Sequence, residues 1–267
     1  MLRKAFVVVA LFWPTFAWAA TYTFEGLNPG NLAGQDNWFV LPGNTSLVVT
    51  NGTGFDNSLV AKNPNTTGDT HFNGRTNNGN FSFGSFVGAA GGVLQFDTLV
   101  VNPTADNQNV SFFLGDPNLN QGASPQIQYG NGGSNTTVFA VRDANFSPTS
   151  FSAPFAVPSG DWVSVRLTMD FTANGGDGLG SVSFADLTVG GAFQPVTGLQ
   201  NLPLGLTGNN IASWNSLWLR SDLANNVMVD NLTVLVSQIP EMNGAWAAGL
   251  FALFLGAHFL HRRVARG

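Results

Sequence analysis

The 267-residue chain contains no cysteine. That excludes a disulfide framework and a thiolate nucleophile, and leaves core burial, with or without a metal, to hold the fold. Charge is almost as scarce, with Asp, Glu, Lys and Arg making up 9% of the residues. Between residues 21 and 240 the bases are Lys62, Arg75, Arg142, Arg166 and Arg220, five against fourteen acids, a balance of −9. Such a surface repels phosphate backbones and anionic lipid, so nucleic acid is excluded as a partner. Glu25 is the only glutamate before residue 241. A paired-glutamate glycosidase is therefore excluded, and only an aspartate pair remains for that chemistry. Of the three histidines, His258 and His261 lie in the carboxyl-terminal tail. His71 is left, in an Asn/Gly-rich stretch that reads as a solvated loop, with no G-x-S-x-G elbow to complete a triad.

What is present begins with the two ends. The opening "MLRKAFVVVALFWPTFAWAAT" places Arg3 and Lys4 before a short apolar stretch, then Pro14, then Ala17-Trp18-Ala19. This is the pattern of a signal peptide over residues 1–20, cleaved after Ala19 or one residue later. The apolar run is short for a membrane span. At the other end, Ala245 to Leu260 is almost wholly apolar and is followed by Arg262, Arg263 and Arg266. The stretch predicts a single transmembrane helix over about 244–261, with the arginines on the cytoplasmic side and the bulk of the chain exported.

Between the ends lies one domain, residues 21–237. In "DWVSVRLTMDFT", Val163, Val165, Leu167, Met169 and Phe171 alternate with Ser164, Arg166, Thr168 and Asp170. Strict period-two alternation predicts a strand with one face on a core. "VLQFDTLVV", "NVSFFLGD", "TTVFAVRD", "GSVSFADLTV", "NSLWLRSD" and "NVMVDNLTVLV" behave similarly. "NPNTTGDTHFNGRTNNGN", "GNGGSN" and "TANGGDGLG" read as turns, where Gly and Asn supply positive φ. No segment of this domain carries an amphipathic helical pattern. The expected fold is all-β, an antiparallel β-sandwich or jelly roll, flanked by the signal peptide and the helix.

Two resemblances add to this reading. Pro240-Glu241, an apolar helix and a terminal arginine cluster resemble the PEP-CTERM sorting signal, over residues 238–267. Met242 stands where that motif usually has a third-position proline. The resemblance implies a Gram-negative host that makes exopolysaccharide, and an exosortase-type enzyme of the inner membrane as a partner. It also implies transient anchoring by the helix, then release to the cell surface or extracellular matrix. Pro240, Glu241, Met242, Arg262, Arg263 and Arg266 are the sorting residues it designates. The stretches "TYTFEGLNPGNLAGQDNW", "DWVSVRLTMDFTANGGDGLGSVSFADLTVGG" and "NVMVDNLTV" are similar to strands of laminin-G-like, concanavalin-type jelly rolls. Several sugar-binding members of that group hold a structural calcium with a first-strand Glu and a last-strand Asp. By resemblance, Glu25 and Asp230 would be calcium ligands, with Asp56 and Asn57 as further oxygen donors.

Two functions follow as expectations. One is a surface or matrix protein whose non-catalytic jelly roll is itself the product. The alternative is a carbohydrate-binding module that retains exopolysaccharide, with Trp38, Trp214 and Trp218 as sugar-stacking candidates unless they fill the core. A glycoside-active enzyme is the remotest of the three. Trp162, opening its strand opposite the Val/Leu/Met face, is expected on the outer face or beneath a loop.

Overall fold

In the computed structural model the chain divides into two units, residues 17–238 and the two ends 1–16 with 239–267. The structure describes residues 17–51, 54–55, 58–64, 71–76, 81–100, 109–115, 125–131, 137–142, 150–154, 157–158, 160–207, 211–222 and 228–238. Most of the expected signal peptide, the 244–261 helix and all six sorting residues lie outside the described residues, as do Asp56 and Asn57.

The described strands, in chain order, are β1 (Ala17–Tyr22), β2 (Gly30–Asn31), β3 (Trp38–Val40), β4 (Val48–Thr50), β5 (Val60–Lys62), β6 (His71–Thr76), β7 (Ala89–Leu99), β8 (Asn109–Gly115), β9 (Gln126–Asn131), β10 (Thr137–Arg142), β11 (Ser150–Pro154), β12 (Trp162–Asp170), β13 (Leu179–Asp186), β14 (Gln194–Pro195), β15 (Leu202–Pro203), β16 (Ser216–Asp222) and β17 (Met228–Gln238). They form two antiparallel sheets. One has ten strands in the order β14-β13-β12-β7-β17-β5-β4-β2, with β1 on β17 and β15 on β13; the other runs β11-β10-β9-β8-β16-β6-β3.

The connectivity is that of a rolled sandwich. The chain passes from the ten-stranded to the seven-stranded sheet after β2, β5, β7 and β15, and returns after β3, β6, β11 and β16. The neighbours β5-β17-β7 in one sheet are matched by β6-β16-β8 in the other. Two-stranded ribbons wound together in this way give a jelly roll.

Alternation decides which face each strand buries. Val163, Val165, Leu167 and Met169 of β12 and Leu232, Val234 and Val236 of β17 enter one hydrophobic cluster with Leu94 and Phe96 of β7 and Phe112 and Leu114 of β8. The expected turn after β12 holds a single 3-10 turn, where Asn174, Gly175, Gly176 and Gly178 all take positive φ.

β6 corrects the sequence reading. It lies inside the stretch read as turns, and His71, read as a solvated loop residue, is buried at its start. The reason is an inverted pattern. Asn73 pairs with Leu219 and Arg75 with Leu217, both core residues, so the polar side chains of β6 point inward. Asn73 meets the cost of burial by accepting from the Leu47 N–H at 2.9 Å and donating to Phe39 O at 3.3 Å. A strand with polar residues facing in gives no alternation signal of the usual sign.

The opposite side of β6 carries Gly74 beneath two rings. Phe39 and Trp218 meet edge to face at 5.2 Å, and Trp218 stacks on Phe113 at 6.4 Å. A Cβ on Gly74 would lie 2.5 Å from Phe39 Cζ and 2.7 Å from Trp218 Cζ3. Because Trp218 is fully buried, the ring has little room to yield. Gly74→Ala is expected to lower stability by ~1–3 kcal/mol, read as a lower urea midpoint at unchanged m-value. An unchanged midpoint would mean that these rings are free to move.

Candidate functional site

β1 alternates so that Tyr22 points between the sheets, beside Phe24, Trp38 and Phe81 at ring separations of 5.3–5.6 Å. Arg75 enters the same space from the opposite sheet. Its guanidinium carbon sits 4.6 Å from the centre of the Tyr22 ring and 5.0 Å from that of Phe81. Nη2 donates to Asp36 Oδ2 at 2.8 Å and Nη1 donates to Thr76 O at 3.2 Å. The Arg75 side chain is fully buried, whereas Asp36 keeps 17% exposure. A buried cation is tolerable only when paired and solvated by neighbouring dipoles or rings, and Arg75 has a carboxylate and two ring faces.

The backbone that presents Asp36 is a tight turn. Trp38 N–H donates to Gln35 O at 2.8 Å, and the two central residues, Asp36 and Asn37, have φ of 41° and 63°. Asp and Asn tolerate that left-handed conformation better than other side-chain-bearing residues. Gln35 fixes the preceding loop, donating Nε2 to Asn28 O at 2.9 Å and to Asn31 O at 2.7 Å, while Oε1 accepts from Asn28 N–H at 2.7 Å.

A groove of about 660 Å³ opens over this assembly, with Tyr22, Glu25, Asn28, Gln35, Asp36 and Phe81 in its lining. Its volume falls within the roughly 300–1,000 Å³ of ligand sites. Thr23, also in the lining, and Asn28 are exposed and make no side-chain hydrogen bond among the described residues. The groove thus offers hydroxyl, amide and carboxylate groups on a loop braced from below. Burial pushes the Tyr22 phenol up to about 12; the Trp38 N–H and Arg75 oppose the rise, and Asp36 adds to it. The Trp38 N–H acts there as a dipole, since its Nε1 closes no hydrogen bond of good geometry.

The tryptophans proposed from the sequence lie elsewhere. Trp38 is in the core against Tyr22 and Phe24, and Trp214 is in the core against Phe86 and Phe171 at 5.5 and 6.1 Å. Trp218 lies on the outer face of the seven-stranded sheet and is fully buried there. None of the three presents an open ring. Trp162 is on the outer face of the ten-stranded sheet, also buried, and its backbone N–H donates to Thr188 Oγ1 at 2.8 Å.

The calcium candidates are partly brought together. Glu25 sits in the turn after β1 rather than on the strand, and its Oε1 accepts from Leu59 N–H at 2.7 Å. Asp230 Oδ2 accepts from Ser58 Oγ at 2.8 Å. The two carboxylates therefore hold consecutive residues of one loop, the loop whose Asp56 and Asn57 lie outside the described residues. Gly54 is packed so closely that a Cβ would stand 3.1 Å from Asp230 Oδ2. Beside Asp230, across the strand pair, is the buried Asp97, whose Oδ2 accepts from Asn231 Nδ2 at 2.9 Å. Burial pushes the Asp97 carboxyl above its usual range, against the opposing pull of Ser164 and Asn231. Ser164 acts through its dipole, because neither its Oγ nor Asp97 Oδ1 closes a hydrogen bond. No three His, Cys, Asp or Glu side chains converge on one point among the described residues. Glu25 and Asp230 are the two carboxylates that reach this loop, each already accepting a hydrogen bond from it.

Sequence reasoning missed Arg75, Asp36, Gln35 and Phe81. One signal was available: Arg75 is among only five bases in the domain, and Asp36-Asn37 immediately precedes a tryptophan.

Two outcomes follow from the Arg75 assembly. Asp36→Ala removes the ion-pair partner of a buried guanidinium and is expected to cost about 3 kcal/mol or more, seen as a lower urea midpoint. A loss below about 1 kcal/mol, the scale of an exposed pair, would contradict the assignment. For Tyr22, the folded value of about 12 lies above the ordinary 10.0. Its stabilising share is complete below pH 10 and is lost as pH rises toward 12. Tyr22→Phe should flatten the fall in stability between those values; an unaltered alkaline slope would show that Tyr22 is not its source.

No family model and no curated protein matches the sequence. Solved structures with a similar fold include lectin II from Ulex europaeus, at 11% identity over 82% of this chain and 98% of the lectin, with a TM-score of 0.46. The CBM2 module of the Lactobacillus casei BL23 phage J-1 evolved Dit is similar at 12% identity, covering 84% and 98%, with a TM-score of 0.46. The carbohydrate recognition domain of Emp47p is similar at 10% identity, covering 79% and 95%, with a TM-score of 0.43.

Proposed function

We propose that the chain is an exported surface protein whose β-sandwich binds carbohydrate without acting on it. The observation that supports this most is the groove over Arg75. Its polar groups are hydroxyls, amides and carboxylates, the set that exchanges hydrogen bonds with sugar hydroxyls, and its loop is braced by Gln35 before any ligand arrives. Binding without hydrolysis suits its two carboxylates: Asp36 is engaged by Arg75 and Glu25 by the Leu59 amide. The ligand in this reading is the host's own exopolysaccharide. The amino-terminal segment directs export, and the Pro240-Glu241 segment, helix and arginines direct sorting by an exosortase-type enzyme of the inner membrane. A purely structural role in the matrix is the second reading, favoured by the burial of Trp38, Trp214 and Trp218.

A calcium ion held by Glu25 and Asp230 belongs to the same proposal. It would clamp the turn after β1 to β17 through their shared loop, stabilising a domain that has no disulfide. Binding to the folded state alone adds about 2.7 kcal/mol at a hundredfold excess over Kd.

Polysaccharide pull-down with the full-length protein is expected to show binding that falls at least about tenfold in Thr23→Ala/Asn28→Ala, at an unchanged melting temperature. Absence of binding to any host polysaccharide would favour the structural role. Calcium is expected to raise the melting temperature relative to EDTA in wild type and not in Glu25→Gln/Asp230→Asn. An equal rise in both, or none in wild type, would remove the clamp.

A further inference from the structure

The groove over Arg75 carries charge of one sign. Among the described residues its lining holds two carboxylates, Glu25 and Asp36, and no lysine, arginine or histidine. The bases between residues 21 and 240 are accounted for elsewhere. Lys62, Arg142, Arg166 and Arg220 belong to β5, β10, β12 and β16, and Arg75 is fully buried.

The two carboxylates differ in what they have left to offer. Asp36 is matched by the Arg75 guanidinium at 2.8 Å, so that pair carries no net charge. Glu25 is exposed and forms no ion pair among the described residues. Its Oε1 accepts from the Leu59 N–H at 2.7 Å, which fixes the carboxylate, while Oε2 closes no hydrogen bond among the described residues. The turn that carries Glu25 is also fixed. Leu27 N–H donates to Phe24 O at 3.2 Å, and Gly26 takes a φ of 82°, a left-handed conformation that glycine adopts without strain. Phe24, the residue before Glu25, is fully buried and anchors the turn in the core. The groove therefore presents an uncompensated negative charge that is in place before any ligand arrives. The Thr23 and Asn28 side chains share its lining.

The chemistry that completes such a wall is cationic. A sugar hydroxyl can donate to Glu25 Oε2 but leaves the charge unmatched. An ammonium supplies N–H donors and the opposite charge together. A uronate brings a further negative charge toward Glu25, in a domain whose balance is already −9. We infer that the groove selects a glycan with free amino groups, an amino sugar without its acyl cap, over neutral and uronic-acid glycans, with Glu25 as the residue that sets this preference. This rests on the carbohydrate-binding reading above and names the sugar class that the groove takes.

The test titrates the full-length protein with three oligosaccharides of matched length, built from glucosamine, N-acetylglucosamine and galacturonic acid. EDTA is present throughout, so that calcium does not occupy Glu25. The glucosamine oligomer is expected to bind about threefold to fivefold more tightly than the N-acetylated one, the scale of an ion pair at an exposed carboxylate. The uronate oligomer is expected to bind most weakly. Glu25→Gln keeps an oxygen for the Leu59 N–H and is expected to bring the glucosamine and N-acetylglucosamine affinities together. In wild type the preference should shrink as salt rises, because exposed charges are screened. Equal affinity for the amine and its N-acetylated partner would overturn the inference. If Thr23→Ala/Asn28→Ala still weakened both, the groove reading would stand without it. A preference that survives in Glu25→Gln, or one indifferent to salt, would also overturn it, as would tightest binding of the uronate. Binding of none of the three would remove the inference and the groove reading together.

Discussion

The final strand of the domain, β17, lies in the interior of the ten-stranded sheet. It is bonded to β7 on one side, and to β5 and β1 on the other. Its partners all come from the first two-fifths of the chain, so the sandwich closes only when its last segment arrives. Such contacts, joining residues about 130 to 220 positions apart, carry a large loop-closure cost before they return any burial. In a chain with no cysteine, that cost is offset by the hydrophobic face of β17, where Leu232, Val234 and Val236 are fully buried. The constraint also brings the two ends of the domain side by side on one strand.

The same closure creates the interior space that Arg75 occupies. Tyr22 comes from β1 and Arg75 from β6, so their contact exists only once both sheets are in place. A cation between two sheets is an unusual use of core volume, and it has a local return. It fixes Asp36 at the rim of the groove and spreads the rings of Tyr22 and Phe81 beneath it. Structural and proposed binding roles are therefore hard to separate at Arg75 and Asp36. They are separable at Thr23 and Asn28, whose side chains bond to nothing else described.

What could be read from the sequence follows from the kind of burial involved. β12 and β17 were legible because one face is apolar and the other polar, so alternation reports the face directly. β6 was not, because His71, Asn73 and Arg75 are buried on its inward face, and Asn73 and Arg75 draw partners from residues distant in sequence. The same reversal hid the groove, since its buried support comes from a strand that resembled a turn. Trp38, Trp214 and Trp218 illustrate the converse. Their ring chemistry suits sugars, but their area is worth more inside, and only three-dimensional packing distinguishes the two uses. Glu25 and Asp230 were named by resemblance, as a first-strand and a last-strand acid, and their carboxylates accept from adjacent residues of one loop.

Chemical-shift mapping of backbone amides with an oligosaccharide of the host exopolysaccharide decides whether carbohydrate enters the groove over Arg75. Entry there is expected to concentrate the shifts in residues 21–36 and at Phe81, with the outer face of the seven-stranded sheet unmoved. Shifts centred on that outer face, or spread without focus over the surface, would contradict it.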